Sequence, residues 1–247
     1  MKPFLCSLLL LFTFSLDAQA PAAVPISKEP HHHLALENEY VRVFRVSLPA
    51  HDATLLHQHD VPYLYISLGP ADVINAVQGK PEAHLVMVDD QVGYSPGHFA
   101  HIARTDAGST FDNVTIELLK PQGEPRNLCA QIIPGAASAG CDKALGSALA
   151  AHGFSVESQL QTDQWNLDLV RLGPRTISPK LVVRGKSLVV TLSGSEAQID
   201  VVGKPAQALH GGEVTWIEAR GYISNPSNEP SICLQLTFDD KGGHTKP

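Results

Sequence analysis

Laid against itself at a shift of 125 residues, the chain repeats: 165–174, WNLDLVRLGP, falls on 40–49, YVRVFRVSLP, and Gly194 falls on Gly69. Farther along, VTWIEARG from Val214 takes the place of VGYSPGHF from Val92 at a shift of 122, and ICLQLTF parallels VTIELLK. Similarity that is weak in identity but kept in order is the mark of two copies of one folding unit. The unit is β. Between 40 and 120 the short apolar runs YVRVFRVSL, LYISLG, HLVMV, FAHIA and VTIELLK alternate with turn signals such as PAHDA, DDQVG and RTDAGS. Strands at this spacing indicate an antiparallel sandwich or barrel. At 247 residues, 43% of them hydrophobic, the chain can fill two such cores. The expected layout is an N-terminal arm over 21–35, a first β-barrel over 36–121, a linker over 122–157 and a second β-barrel over 158–240. Within the linker DKALGSALAAHGF is rich in Ala and Leu and ends on Gly153, which predicts one short helix.

Chemistry concentrates in the first copy. In 53–69, ATLLHQHDVPYLYISLG, His57 and His59 stand at alternate positions of an apolar, β-rich run, so an extended strand presents both imidazoles on one face and turns Gln58 away. Tyr63 and Tyr65 follow on the same face. Downstream, GYSPGHFAH carries a Pro-Gly turn and then His101, as a third ligand from a neighbouring strand requires. Neutral imidazole is the commonest ligand of zinc, iron, copper and nickel, and three of them leave coordination positions open. In the second copy Val182 and Arg184 occupy the places of His57 and His59, and no histidine replaces His101, so that copy keeps the fold without the site. Other polar residues receive plainer readings. His31, His32 and His33, beside a Pro-rich terminus, read as a solvated run. His51 and His84 read as structural or exposed. Glu117 shares a side with Asn113 and Thr115 and is a possible substitute carboxylate, but alternation favours the solvated outer face for it.

The His-X-His strand and the later Pro-Gly turn with its histidine resemble the paired motifs of the cupin superfamily. That resemblance covers most of the first copy and, more faintly, the second. It implies an all-β fold of two cupin-like barrels of the double-stranded β-helix, or jelly-roll, kind in tandem. It also implies one divalent transition-metal ion held by His57, His59 and His101, with Fe, Zn, Mn and Ni undistinguished. Asn113 corresponds to the asparagine that often closes the second motif, and Tyr63, Tyr65 and His98 are expected around the pocket. The chain departs from the family in its acid: four residues after His59, where a glutamate ligand is usual, stands Tyr63, and no Asp or Glu lies between 61 and 71. The activity implied is that of a metal-dependent enzyme, an oxygenase or isomerase acting on a small organic molecule. The alternative is a barrel that binds a small molecule without turning it over.

Residues 1–20 hold Lys2, an apolar run and then Ala18-Gln19-Ala20, a small-X-small site of the type signal peptidase accepts. The run is shorter than the ~20 residues that span a bilayer, which predicts cleavage near Pro21, no membrane anchor afterwards, and a periplasmic or extracellular mature protein. In an oxidising compartment thiols tend to pair. Cys129 and Cys141 flank a loop rich in small residues and are the expected disulfide, whereas Cys233 sits in an apolar alternation as a buried strand residue. A net charge of −7 with no Lys/Arg cluster argues against nucleic acid. The expected partner is a small-molecule ligand, with a homodimer left open.

Overall fold

The computed structural model describes residues 22–106, 108–121, 123–141, 153–178 and 185–238. The leader, the helix expected in the linker, and both Val182 and Arg184 lie outside those residues. Among the described residues every regular element is a strand except a 3₁₀ turn at Ile26–Lys28.

Ten strands build the first barrel as two facing sheets. One runs β1 (Val24–Pro25), β4 (His57–His59), β9 (Phe99–Arg104), β6 (Ala71–Val77), β7 (Ala83–Met87). The other runs β2 (His32–Glu37), β3 (Val41–Leu48), β10 (Phe111–Leu118), β5 (Tyr63–Ser67), β8 (Val92–Ser95). Nine strands build the second. Its larger sheet runs β11 (Arg126–Asn127), β12 (Phe154–Gln161), β13 (Trp165–Leu172), β19 (Ser231–Phe238), β14 (Lys186–Thr191), β17 (Val214–Ile217). Its smaller sheet runs β16 (Gln207–His210), β15 (Glu196–Val201), β18 (Gly221–Ser224). The stretch expected as a free arm belongs to the first barrel: β1 pairs in parallel with β4, and β2 lies antiparallel along β3.

Where the barrels meet, the outer face of one sheet is as apolar as an interior. Val41, Val43, Leu64, Ile66, Val114, Ile116 and Leu118 pack in one cluster with Trp165, Leu167, Leu188, Val190, Leu234, Leu236 and Phe238 of the second barrel. The opposite faces of β3, β5 and β10 point into the first barrel. This inverts the usual alternation, because on β10 the polar set Asn113, Thr115 and Glu117 faces inward while the aliphatic set faces the other barrel. Glu117 is accordingly buried rather than solvated. Alternation identifies residues that share a face, and the second barrel decides which face is covered.

The local hydrogen bonds also correct the overlay of the two copies. Asn38 N–H donates to the Val41 carbonyl and Thr162 N–H to the Trp165 carbonyl, while Asn38 Oδ1 and Thr162 Oγ1 each accept from the two residues that close the same turn. Trp165 therefore stands on Val41, one residue short of the shift of 125 that the Tyr40/Trp165 aromatic match suggests. The difference matters, since a slip of one residue exchanges the faces of a whole strand. A second matched pair places His101. Thr54 exchanges bonds with the Ala103 backbone as Ser178 does with Ile223, so His101 corresponds to Gly221. The interiors differ accordingly. That of the second barrel is filled by Phe154, Val170, Leu172, Val189, Ile199, Leu209, Ile217 and Ile223, whereas the first barrel encloses a cavity of about 280 Å³.

Cys129 and Cys141 are bonded, with Cα atoms 4.6 Å apart, and Cys233 is a buried free thiol on β19.

Candidate metal centre

Three histidines converge at one end of this cavity. In the antiparallel pairing of β4 with β9, His57 stands directly opposite His101 and His59 opposite Phe99. Alternation then brings His59 to the same face, with ring centroids 4.4 Å apart for His57 and His101, 5.1 Å for His57 and His59, and 5.1 Å for His59 and His101. The turn before β9 makes this pairing possible. Gly97 has φ +68°, and a Cβ there would lie 2.1 Å from the Val61 carbonyl oxygen, so glycine alone fits. The next residue, His98, also has a positive φ and is exposed on the outside, where its N–H bonds the His59 carbonyl. Contrary to the sequence expectation, its side chain does not line the cavity.

Two of the rings are oriented by neighbours. His57 Nδ1 lies 2.9 Å from the Leu55 carbonyl and His101 Nδ1 2.6 Å from Asn75 Oδ1, so each carries its proton on Nδ1 and leaves Nε2 as a lone-pair donor. Those two Nε2 atoms, and Nδ1 of His59, are buried with no hydrogen-bond partner among the described residues. A buried polar atom left unsatisfied costs about 1–3 kcal/mol, and three together mark a place built for something other than protein. Burial, reinforced by neighbouring imidazoles that include His32, lowers the rings to about 4 for His57, about 2 for His59 and about 3 for His101. At neutral pH all three are uncharged, which is the ligating form.

A fourth imidazole, which the sequence reading left in solvent, also reaches this group. His32, on β2, has a side chain only 6% exposed, and its ring centroid lies 4.8 Å from that of His57 and 6.4 Å from that of His59. His32, His57 and His59 each offer a ring atom such that all three lie within 4.8 Å of one another. The pairing of β2 with β3 turns His32 inward while His33 stays exposed. Glu29 fixes His32 from behind: its carboxylate lies 2.5 Å from His32 Nδ1 and accepts the N–H groups of His31 and Leu55. Burial opposes ionisation of Glu29, but His32 and the two backbone N–H groups outweigh it and hold the carboxyl below its ordinary range.

No carboxylate stands in this inner group. Glu117 is buried 4.0 Å from His59 Nδ1, yet its other oxygen is bound by Arg42 Nη1 at 3.1 Å. Its pKa is raised by burial, against the opposing pull of Arg42. Tyr63 stacks on His59 with centroids 4.1 Å apart, and burial pushes its phenol up to about 12, so it is neutral and cannot supply the missing charge. Tyr65 lines the cavity, packed so closely over Gly93 that a Cβ at that position would overlap its ring. Asn113 and Thr115 line the wall as a bonded pair, Thr115 Oγ1 donating to Asn113 Oδ1. The remainder is mostly apolar, including Val46, Leu48, Val73, Leu85, Met87 and Phe111. Asn75 and Glu29, which orient two of the rings, carry no motif that would mark them in the sequence.

No family model matches the chain, and no curated protein matches its sequence. Solved structures do resemble it. AerE from Microcystis aeruginosa is 11% identical with a TM-score of 0.62, over 89% of this chain and 98% of that one. A putative glyoxylate induced protein from Pseudomonas aeruginosa is 10% identical with a TM-score of 0.57, over 91% of this chain and 90% of that one. A salicylate 1,2-dioxygenase from Pseudaminobacter salicylatoxidans is 13% identical with a TM-score of 0.56, over 86% of this chain and 77% of that one. These neighbours are cupin-fold proteins and the likeness spans both barrels, so the chain has the two-barrel cupin fold, with its histidine cluster in the first barrel.

Proposed function

We propose that the first barrel is a metal-dependent catalytic centre, of the oxygenase or isomerase kind, acting on a small organic molecule. The observation that carries this reading is the convergence of three buried ring nitrogens, without a hydrogen-bond partner among the described residues, on the wall of a small and mostly apolar cavity. Among the ions expected from the sequence, the imidazole donors suit Fe, Zn or Ni better than Mn, which prefers oxygen ligands. Bound there, the ion would supply Lewis acidity or oxygen activation. The chain's own residues do the rest. His57, His59 and His101 would hold the ion, Leu55 and Asn75 keep the tautomers of His57 and His101, and the rest of the wall is mostly apolar. Tyr65, Asn113 and Thr115 offer the polar contacts that would orient a substrate. The names of structural neighbours, among them a salicylate 1,2-dioxygenase also solved in a variant complex with gentisate, support small hydroxylated acids as the first compounds to try.

One observation favours the second reading, a binding protein without turnover: among the described residues no Asp, Glu, Lys or Arg lines the cavity, so once the histidines hold metal little remains for acid–base work. The test is metal analysis of untagged protein, followed by incubation of the metal-loaded form with small hydroxylated aromatic and dicarboxylic acids in air. Product formation that vanishes in His57→Ala supports the enzyme. Saturable binding with no product supports the binder. We further propose that the chain is exported and matured near Pro21; the Cys129–Cys141 bond supports an oxidising compartment, and N-terminal sequencing of exported protein tests it.

A further inference from the structure

Four residues after His59, where a glutamate ligand is usual in the family the sequence resembles, stands Tyr63, and strand β2 of the first barrel brings an imidazole to the three-histidine centre. We infer that His32 is a fourth metal-binding imidazole, delivered by β2 and positioned by the Glu29 carboxylate, so that the ion links β2 in one sheet to β4 in the other. The inference rests on the reading that His57, His59 and His101 hold an ion.

Three features carry it. First, His32 offers a ring atom that lies within 4.8 Å of ring atoms of His57 and His59, two of the three expected ligands. Second, its orientation is built in the manner seen for His57 and His101. Nδ1 is engaged by Glu29, which leaves Nε2 as the nitrogen with a free lone pair. A carboxylate or carbonyl behind the distal nitrogen is the usual support for a ligating imidazole. Third, Glu29 is 1% exposed and is itself held by two backbone N–H groups, His31 at 2.9 Å and Leu55 at 3.2 Å. Leu55 stands two residues before His57, so one buried carboxylate couples the strand that carries His32 to the strand that carries His57 and His59. A carboxylate so deeply placed is costly without such partners. Glu117 does not compete for the position, because Arg42 holds it.

The experiment uses the untagged chain loaded with Cu(II) or Co(II), with X-ray absorption and pulsed EPR to count coordinated imidazoles. Competition against a chromophoric chelator gives the affinity. The wild type should bind one ion per chain through four imidazoles. His32→Gln should bind through three, with affinity weaker by about 100-fold, and Glu29→Gln should keep four imidazoles with affinity weaker by about 10-fold. Circular dichroism of each metal-free variant checks folding. Should His32→Gln fail to fold, the wild-type count still decides the matter. Three imidazoles in the wild type, or an affinity within twofold of it in folded His32→Gln, would overturn the assignment and leave His32 and Glu29 as a structural staple. Failure of the underlying reading looks different: no stoichiometric binding by the wild type, or unchanged affinity in His57→Ala/His59→Ala.

Discussion

Replacing Arg42 by Met would remove the cation from a carboxylate that has almost no access to water. Glu117 is 2% exposed and its Oε2 lies 3.1 Å from Arg42 Nη1, while Arg42, 32% exposed, also bonds Glu37 through Nε at 2.8 Å. Breaking a fully buried pair by removing one partner costs roughly 3–5 kcal/mol. Arg42 is about one-third open to solvent, which screens the interaction, so about 2–3 kcal/mol is expected near pH 8. Proton uptake sets a ceiling on this cost. Burial already raises the Glu117 pKa and Arg42 opposes that shift, so without Arg42 the group protonates more readily still. Between its unfolded pKa and its raised folded pKa, the folded state binds more protons than the unfolded state. Stability in that window therefore falls as pH rises, by up to about 1.4 kcal/mol per pH unit. The deficit of Arg42→Met should thus be small at pH 5, widen toward pH 8, and shrink to within about 1 kcal/mol of wild type in Arg42→Met/Glu117→Gln. Urea unfolding of metal-free protein, followed by tryptophan fluorescence at several pH values, measures it. A deficit under about 0.5 kcal/mol that does not change with pH is what a solvated Glu117 would give, and would refute the buried pair.

Three further outcomes are expected. Metal-free protein should lose stability as pH drops below about 6.5, because His57, His59 and His101 stay neutral when folded and take up protons when unfolded; the limit is about 1.4 kcal/mol per pH unit for each ring. His101→Leu should flatten that slope by one proton, and an unchanged slope would show that His101 is not held neutral. Trp165→Ala should cost about 3–5 kcal/mol and lower a single cooperative transition, since Trp165 lies in the core shared by both barrels; two transitions, one unmoved, would contradict the shared core. Cys129→Ser should cost about 3 kcal/mol by releasing the loop closed by the disulfide. In protein starting at Pro21, thiol titration should find none reactive in the native state and one, Cys233, after denaturation; its burial pushes that thiol up to about 12. Three thiols after denaturation would mean that Cys129 and Cys141 are not bonded.

Much of this protein is legible in its sequence, and what is legible is local. The period of two in an extended chain suffices to put His57 beside His59 on one face with Gln58 on the other, and to group Asn113, Thr115 and Glu117 apart from Val114 and Ile116 between them. Likewise the Pro96-Gly97 turn announces a strand returning with His101, and the ordered repeat announces two barrels. Contacts that depend on what covers a strand could not be read in this way. Alternation alone puts Glu117 in solvent, because an aliphatic face normally marks the inside, but here Val114, Ile116 and Leu118 pack against the second barrel and the polar face points into the first, with Asn113 and Thr115 lining the cavity and Glu117 buried. In sequence His32 belongs to a polar run close to the terminus, which reads as solvated; only the pairing of β2 with β3, and a carboxylate three residues back, turn it toward His57. The overlay of the copies slipped by one residue because an aromatic match outweighed turn hydrogen bonds that sequence does not display. Alternation along a strand is a property of the backbone and is written in the residue order, whereas the choice of buried face is a property of the neighbouring sheet, which exists only once the chain has folded.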